Sequence, residues 1–108
     1  MNCPEANKID LVKYLYSLGC ERGKKSIEDY WYSSPLRVER FSSFKVNKTK
    51  SVWYDYSLRK GGNVVDFTML YFNCKLVKAL QKLSLFHRKI MMKKGLNLYK
   101  LIALKILF

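Results

Sequence analysis

The chain is predicted to fold as one α+β domain, a small antiparallel β-sheet flanked by helices, and three observations lead there. Apolar residues fall at helical spacing from Ile9 to Leu18, strand-forming residues dominate from Tyr30 to Tyr56, and helical spacing returns after Gly61 and Gly62. With 108 residues there is room for a single domain, one that buries only about two thirds of the surface its unfolded chain exposes. An apolar fraction of 49% and an aromatic fraction of 15% are enough for a core and exclude wholesale disorder.

The first helix is expected over residues 4–18, with Ile9, Val12, Leu15, Tyr16 and Leu18 as its stripe and Gly19 as its C-terminal cap. Residues 20–28, with Gly23 and the pair Lys24 and Lys25, read as a loop. Tyr30, Trp31 and Tyr32 form a strand that Ser33, Ser34 and Pro35 end. Phe44 and Val46, then Val52, Tyr54 and Tyr56, alternate as the two arms of a hairpin around a turn from Asn47 to Lys50. Gly61 and Gly62 are expected as a tight turn, whose amides could also meet a phosphate. Asn63 then caps a helix bearing Val64, Phe67, Leu70 and Tyr71. A short helix from Leu76 to about Leu85 completes the domain, taken as residues 1–87.

Residues 88–108 are set apart as a basic tail, either never selected to fold, as in a truncated or frameshifted gene, or an amphipathic helix from Leu98 onward. Charge divides similarly. The whole chain carries +13; residues 1–66 hold twelve basic residues and all eight acids, and residues 67–108 hold nine basic residues and no acid. Such a field attracts polyanions. No secretory signal is present and no apolar run approaches the roughly 20 residues of a membrane span, so a cytoplasmic location is expected. Cys3, Cys20 and Cys74 match neither a metal knuckle nor a disulfide framework and are read as reduced thiols.

Two runs in the middle of the chain carry a resemblance. The first is Ser34, Pro35, Leu36, Arg37, Val38, Glu39, Arg40, Phe41, Ser42, Ser43, Phe44; the second runs from Asp55 through Ser57, Leu58, Gly61, Gly62 and Asn63 to Phe67. Together they resemble the zinc finger of bacterial DNA primases, C-P-x-H-x-E-x-x-P-S-F, a hairpin, then C-x-x-C-x-x-G-G-D-x-x-x-F. The opening Ile9 to Leu15 resembles primase-like proteins of mobile and conjugative elements. The resemblance covers about residues 5–87 and implies a zinc-ribbon-like fold, zinc as cofactor, template DNA as ligand and a magnesium-dependent catalytic domain downstream.

The ligand positions depart from that pattern, because Ser34, Arg37, Asp55 and Leu58 stand where Cys, His, Cys and Cys are expected. Zinc is therefore expected to be absent, since four N, S or O donors are required. Structural zinc can contribute on the order of 10–16 kcal/mol in small fingers, so the core must replace most of it. Arg37 and Asp55 either pair across the two loops or both point into water.

Catalysis by this polypeptide alone is not expected, because no acid follows Asp66 to hold magnesium and His87 is the lone histidine. What remains is a mixture of cations and aromatic rings, the combination that binds single-stranded DNA. The residues assigned to it are Tyr32, Arg37, Arg40, Lys45, Lys48, Lys50, Trp53, Arg59 and Lys60. Alternation leaves Trp53 either exposed beside Lys45 as a stacking surface or packed beneath the C-terminal segment. The expected function is a non-catalytic, primase-related DNA-binding module, with a replication helicase or a separate catalytic chain as further partners. The alternative is a structural remnant whose charge is incidental. Oligomeric state is left open.

Overall fold

A computed structural model describes residues 1–36 and 42–93. Helices α1 (Cys3–Ala6) and α2 (Leu11–Ser17) lead into a sheet of β1 (Asp29–Ser33), β2 (Ser42–Asn47), β3 (Val52–Asp55) and β4 (Lys60–Gly62), followed by α3 (Val64–Tyr71) and α4 (Leu76–Lys93). The α+β prediction holds. All strand pairs are antiparallel, in the order β1-β2-β3-β4.

The single helix expected over residues 4–18 is in fact two. Asn2 caps α1, its Oδ1 accepting from the Glu5 amide at 2.9 Å. Asp10 is extended (ψ 111°) and its Oδ1 accepts from the amides of Val12 and Lys13 at 2.9 and 3.3 Å. A residue so placed starts a helix and cannot lie within one. The predicted cap at Gly19 is present, at φ 84°.

The segment expected as a loop before β1 in part lines that strand's outer edge. The Gly23 amide donates to the Trp31 carbonyl and the Trp31 amide to the Lys24 carbonyl, both at 2.8 Å, and Lys25 bridges to Tyr30. In the hairpin, Asn47 Oδ1 accepts from the amides of Thr49 and Lys50, and Ser51 takes a left-handed φ of 51° to bring the chain into β3.

Gly61 and Gly62 form β4 rather than a turn. Gly61 lies opposite Tyr54, and a Cβ there would stand 2.8 Å from both the Trp53 carbonyl oxygen and the Tyr54 ring. Only a residue without a side chain can run that close to β3. Asn63 caps α3 as predicted, in a reciprocal box: it accepts from the Asp66 amide at 2.9 Å and its own amide donates to Asp66 Oδ2 at 3.0 Å. Helix α4 continues well past the predicted end near Leu85, because Arg88, Lys89, Met91, Met92 and Lys93 are good helix formers. The predicted domain boundary at residue 87 falls within it. The helix considered from Leu98 onward lies outside the described residues.

The sheet's inner face packs on α3. Phe44 stacks on Trp53 with ring centroids 5.4 Å apart and meets Phe67 edge-on at 5.9 Å. Tyr14 of α2 joins Phe67 to Phe86 of α4. Such edge-to-face contacts each contribute about 0.5–1.5 kcal/mol beyond simple burial. No helix among the described residues is long and apolar enough to cross a membrane.

Candidate nucleic-acid interface

Strand register decides which rings are available. Val46 pairs with Trp53 and Phe44 with Asp55, so these four share the inner face; Lys45 pairs with Tyr54 and Trp31, and these share the outer one. Trp53 is therefore buried, 3% exposed, and its Nε1 donates to the Asn63 carbonyl at 2.8 Å, tying β3 to the start of α3. The exposed arrangement considered for Trp53 is excluded, and the ring packs against Phe67 of α3; the C-terminal segment beneath which it was also considered lies outside the described residues. Tyr32 is likewise sealed, 2% exposed beside Phe44, with its hydroxyl pushed up to about 12 mainly by burial. Neither ring can stack on a base.

The outer face carries the rings that can. Trp31 stacks on Tyr56 at 5.7 Å, Tyr54 meets Tyr56 edge-on at 4.8 Å, and Tyr54 and Tyr56 are both exposed. Lys45 Nζ stands 5.6 Å from the Tyr56 ring centre and 6.0 Å from that of Trp31. Its pKa is raised, first by a hydrogen bond to Tyr56, so the ammonium stays charged throughout the neutral range. Three rings around a fixed cation make a platform for an unstacked base and its phosphate.

Of the other residues assigned from sequence, Lys48 lies at the sheet's end, its Nζ 4.8 Å from the Tyr30 ring centre and donating to the Ser26 carbonyl at 3.3 Å. Arg22 covers Tyr30 as well, at 4.5 Å. Lys50, Arg59 and Lys60 are exposed around the two turns that flank β3. Arg37 and Arg40 lie outside the described residues. Sequence reasoning counted Trp31 and Tyr54 in the mixture of rings and cations without assigning them to the site, and gave Tyr56 and Arg22 no binding role. Counting partners across the turn from Val46 would have found the first three, whereas Arg22 carries no such signal.

The chain's relatives agree with this architecture. The family described as CHC2 zinc finger matches residues 6–97. The chain belongs to this family. It is similar to the DNA primase of Helicobacter pylori strain J99, 33% identical over 76 residues that cover 70% of this chain and 13% of the primase. It is also similar to the DNA primase of Buchnera aphidicola subsp. Baizongia pistaciae, 28% identical over 97 residues that cover 90% of this chain and 16% of that protein. The chain thus spans only a small part of the length of these curated relatives. Its fold is similar to the crystal structure of the Aquifex aeolicus primase zinc binding and RNA polymerase domains, with a TM-score of 0.62 over 90% of this chain and 23% of that one, at 23% identity.

Of the four positions where the sequence resemblance places zinc ligands, the three among the described residues do not supply thiol or imidazole donors. Ser34 is buried, its Oγ accepting from the Leu36 amide at 3.2 Å. Asp55 is fully buried, and its Oδ1 accepts from the amides of Ser57 and Leu58, both at 3.0 Å. Leu58 is exposed and offers no donor, and Arg37 lies outside the described residues. A hydrocarbon and a hydroxyl do not replace thiolates in a tetrahedral site. Among the described residues no three of His, Cys, Asp and Glu gather to hold an ion. Cys3, Cys20 and Cys74 are free thiols on separate segments, and burial pushes the Cys20 thiol up. Asp55 thus orders the turn from β3 to β4.

Proposed function

We propose that this CHC2 domain binds single-stranded DNA on the outer face of its sheet, in the manner of a primase template-recognition module, without metal and without catalysis of its own. The observation that carries the reading is the cluster of Trp31, Tyr54 and Tyr56 around the charged Lys45, on a face that no helix among the described residues covers. Lys48, Lys50, Arg59 and Lys60 extend the positive field around it, and the assignment of Arg37 and Arg40 to DNA binding is retained. Similarity to DNA primases supports the choice of ligand. Asp55 and Arg37 are proposed to pair across the two loops in place of the metal, and catalysis is proposed to come from another domain or chain.

The two tryptophans make a direct test, because one lies on the platform and the other in the core. Oligo(dT) titrated into the full chain is expected to quench Trp31 emission, and the quench to persist in Trp53→Phe and vanish in Trp31→Phe. Affinity should fall with salt at a log–log slope of about −0.7 per phosphate contacted. A quench that follows Trp53, or no salt-dependent binding at micromolar protein, overturns the reading and leaves the structural remnant.

A further inference from the structure

Helix α4 meets α1 and α3 through one side only. Ala79 and Leu83 are fully buried, and Leu80 and Phe86 pack against the same core. Away from that side Val77 is 70% exposed, Leu85 56% and Met92 52%. Val77, Gln81, Leu85, Arg88 and Met92 follow at intervals of four, four, three and four residues, which keeps a row of side chains on one side of a helix over about 22 Å. A groove of about 500 Å³ opens along the first half of this row, between Met1 and the α4 residues Val77, Leu80, Gln81, Leu85 and Arg88.

Charge identifies what the face can receive. Lys78, Lys82, Lys89 and Lys93 form the neighbouring row at intervals of four, seven and four, and the helix contains no acid. Lys82 leans over Phe72, with Nζ 4.1 Å from the ring centre. The face therefore sets the apolar Val77, Leu85 and Met92, with Gln81 and Arg88 between them, beside a lysine row on one flank. A second copy of the same face would set lysine against lysine. A lipid surface suits a convex apolar ridge with cations on both flanks, whereas this row is grooved and charged on one side.

We propose that this face of α4 docks an acidic amphipathic helix of another protein, its apolar residues seated along Val77, Leu85 and Met92 and its carboxylates against Lys78, Lys89 and Lys93. The surface is separate from the aromatic platform of the sheet and does not depend on the nucleic-acid reading. Helix-in-groove recognition of this kind reads an apolar stripe for affinity and the flanking charge for orientation.

The test uses the full chain and a fluorescent 21-residue helical peptide with Leu at the a and d positions of a heptad and Glu at e and g. Controls are a scrambled peptide of the same composition and a version with Lys for Glu. Anisotropy is expected to show the Glu peptide binding at least about tenfold tighter than either control, with Val77→Asp and Leu85→Asp each weakening it about tenfold or more. Both sites are exposed, so circular dichroism and oligo(dT) affinity should stay unchanged. Equal binding of all three peptides, or indifference to both substitutions, overturns the proposal. So does sedimentation with phosphatidylglycerol vesicles, or a concentration-dependent dimer, that Val77→Asp abolishes while the Glu peptide fails to bind.

Discussion

On the inner face of the sheet Phe44, Val46 and Trp53 are sealed against α3, whereas on the outer face Trp31, Tyr54 and Tyr56 leave their rings partly in solvent around Lys45. The residue types are nearly the same, and the neighbours Trp53 and Tyr54 belong to different faces. An aromatic ring in this small domain is thus a core residue or a binding surface according to register alone. The inner set should govern stability with little direct effect on binding, and the outer set the reverse.

The largest effect that separates the faces is on stability. Phe44→Ala empties the contact shared with Tyr32, Trp53 and Phe67 and is expected to cost about 3–5 kcal/mol in urea unfolding. A loss below 1 kcal/mol would mean the inner stack is not the core. Asp55→Ala removes the acceptor of two turn amides and is expected to cost about 1–3 kcal/mol. Added to Arg37→Ala in a double-mutant cycle, it also measures the proposed pairing, which zero coupling would dismiss. On the outer face, Trp31→Ala should weaken oligo(dT) binding by about 1–3 kcal/mol while stability changes by far less; equal loss of both would erase the distinction.

Tyr32 marks the inner face by its proton. Its hydroxyl ionises near 10 in the unfolded chain and at about 12 when folded, so between those values the unfolded state has lost a proton that the folded state keeps. The contribution of this group to stability is then constant below about pH 10 and declines as pH rises toward 12. Tyr32→Phe should move the alkaline unfolding midpoint upward, and an unmoved midpoint would place that hydroxyl in water. The smallest effect belongs to Lys45. Lys45→Gln should leave stability unchanged and reduce the salt slope of DNA binding by about 0.7, the share of one phosphate contact on a single strand.

Local chemistry in the sequence marked several of these features directly. Asn63 and Asp66 stand three apart ahead of an apolar run, and the capping box is there; Asn47 opens the hairpin turn; Gly19 ends α2. Asp10 held an equally plain start signal, obscured because Ile9 continues the apolar stripe on the far side of the break. The face of β3 was not readable from alternation, which separates Trp53 from Tyr54 without saying which points inward. Pairing across the turn settles it, since Val46 faces Trp53. At Ser34, Asp55 and Leu58 the departure from the family's donor pattern was visible, while the use of Asp55 to hold two amides was not, because it depends on burial and turn geometry.

The two edges of the sheet bear on how the domain behaves at high concentration. Along β1 the chain's own residues 23–26 already occupy backbone groups that a foreign strand would use, and at the other side β4 is three residues long, a lysine and two glycines. Neither edge offers a long apolar template for another strand to extend. A protein with this many exposed aromatic rings is thereby guarded against growing into sheets with its own copies, leaving its rings open to planar ligands instead of to polymerisation.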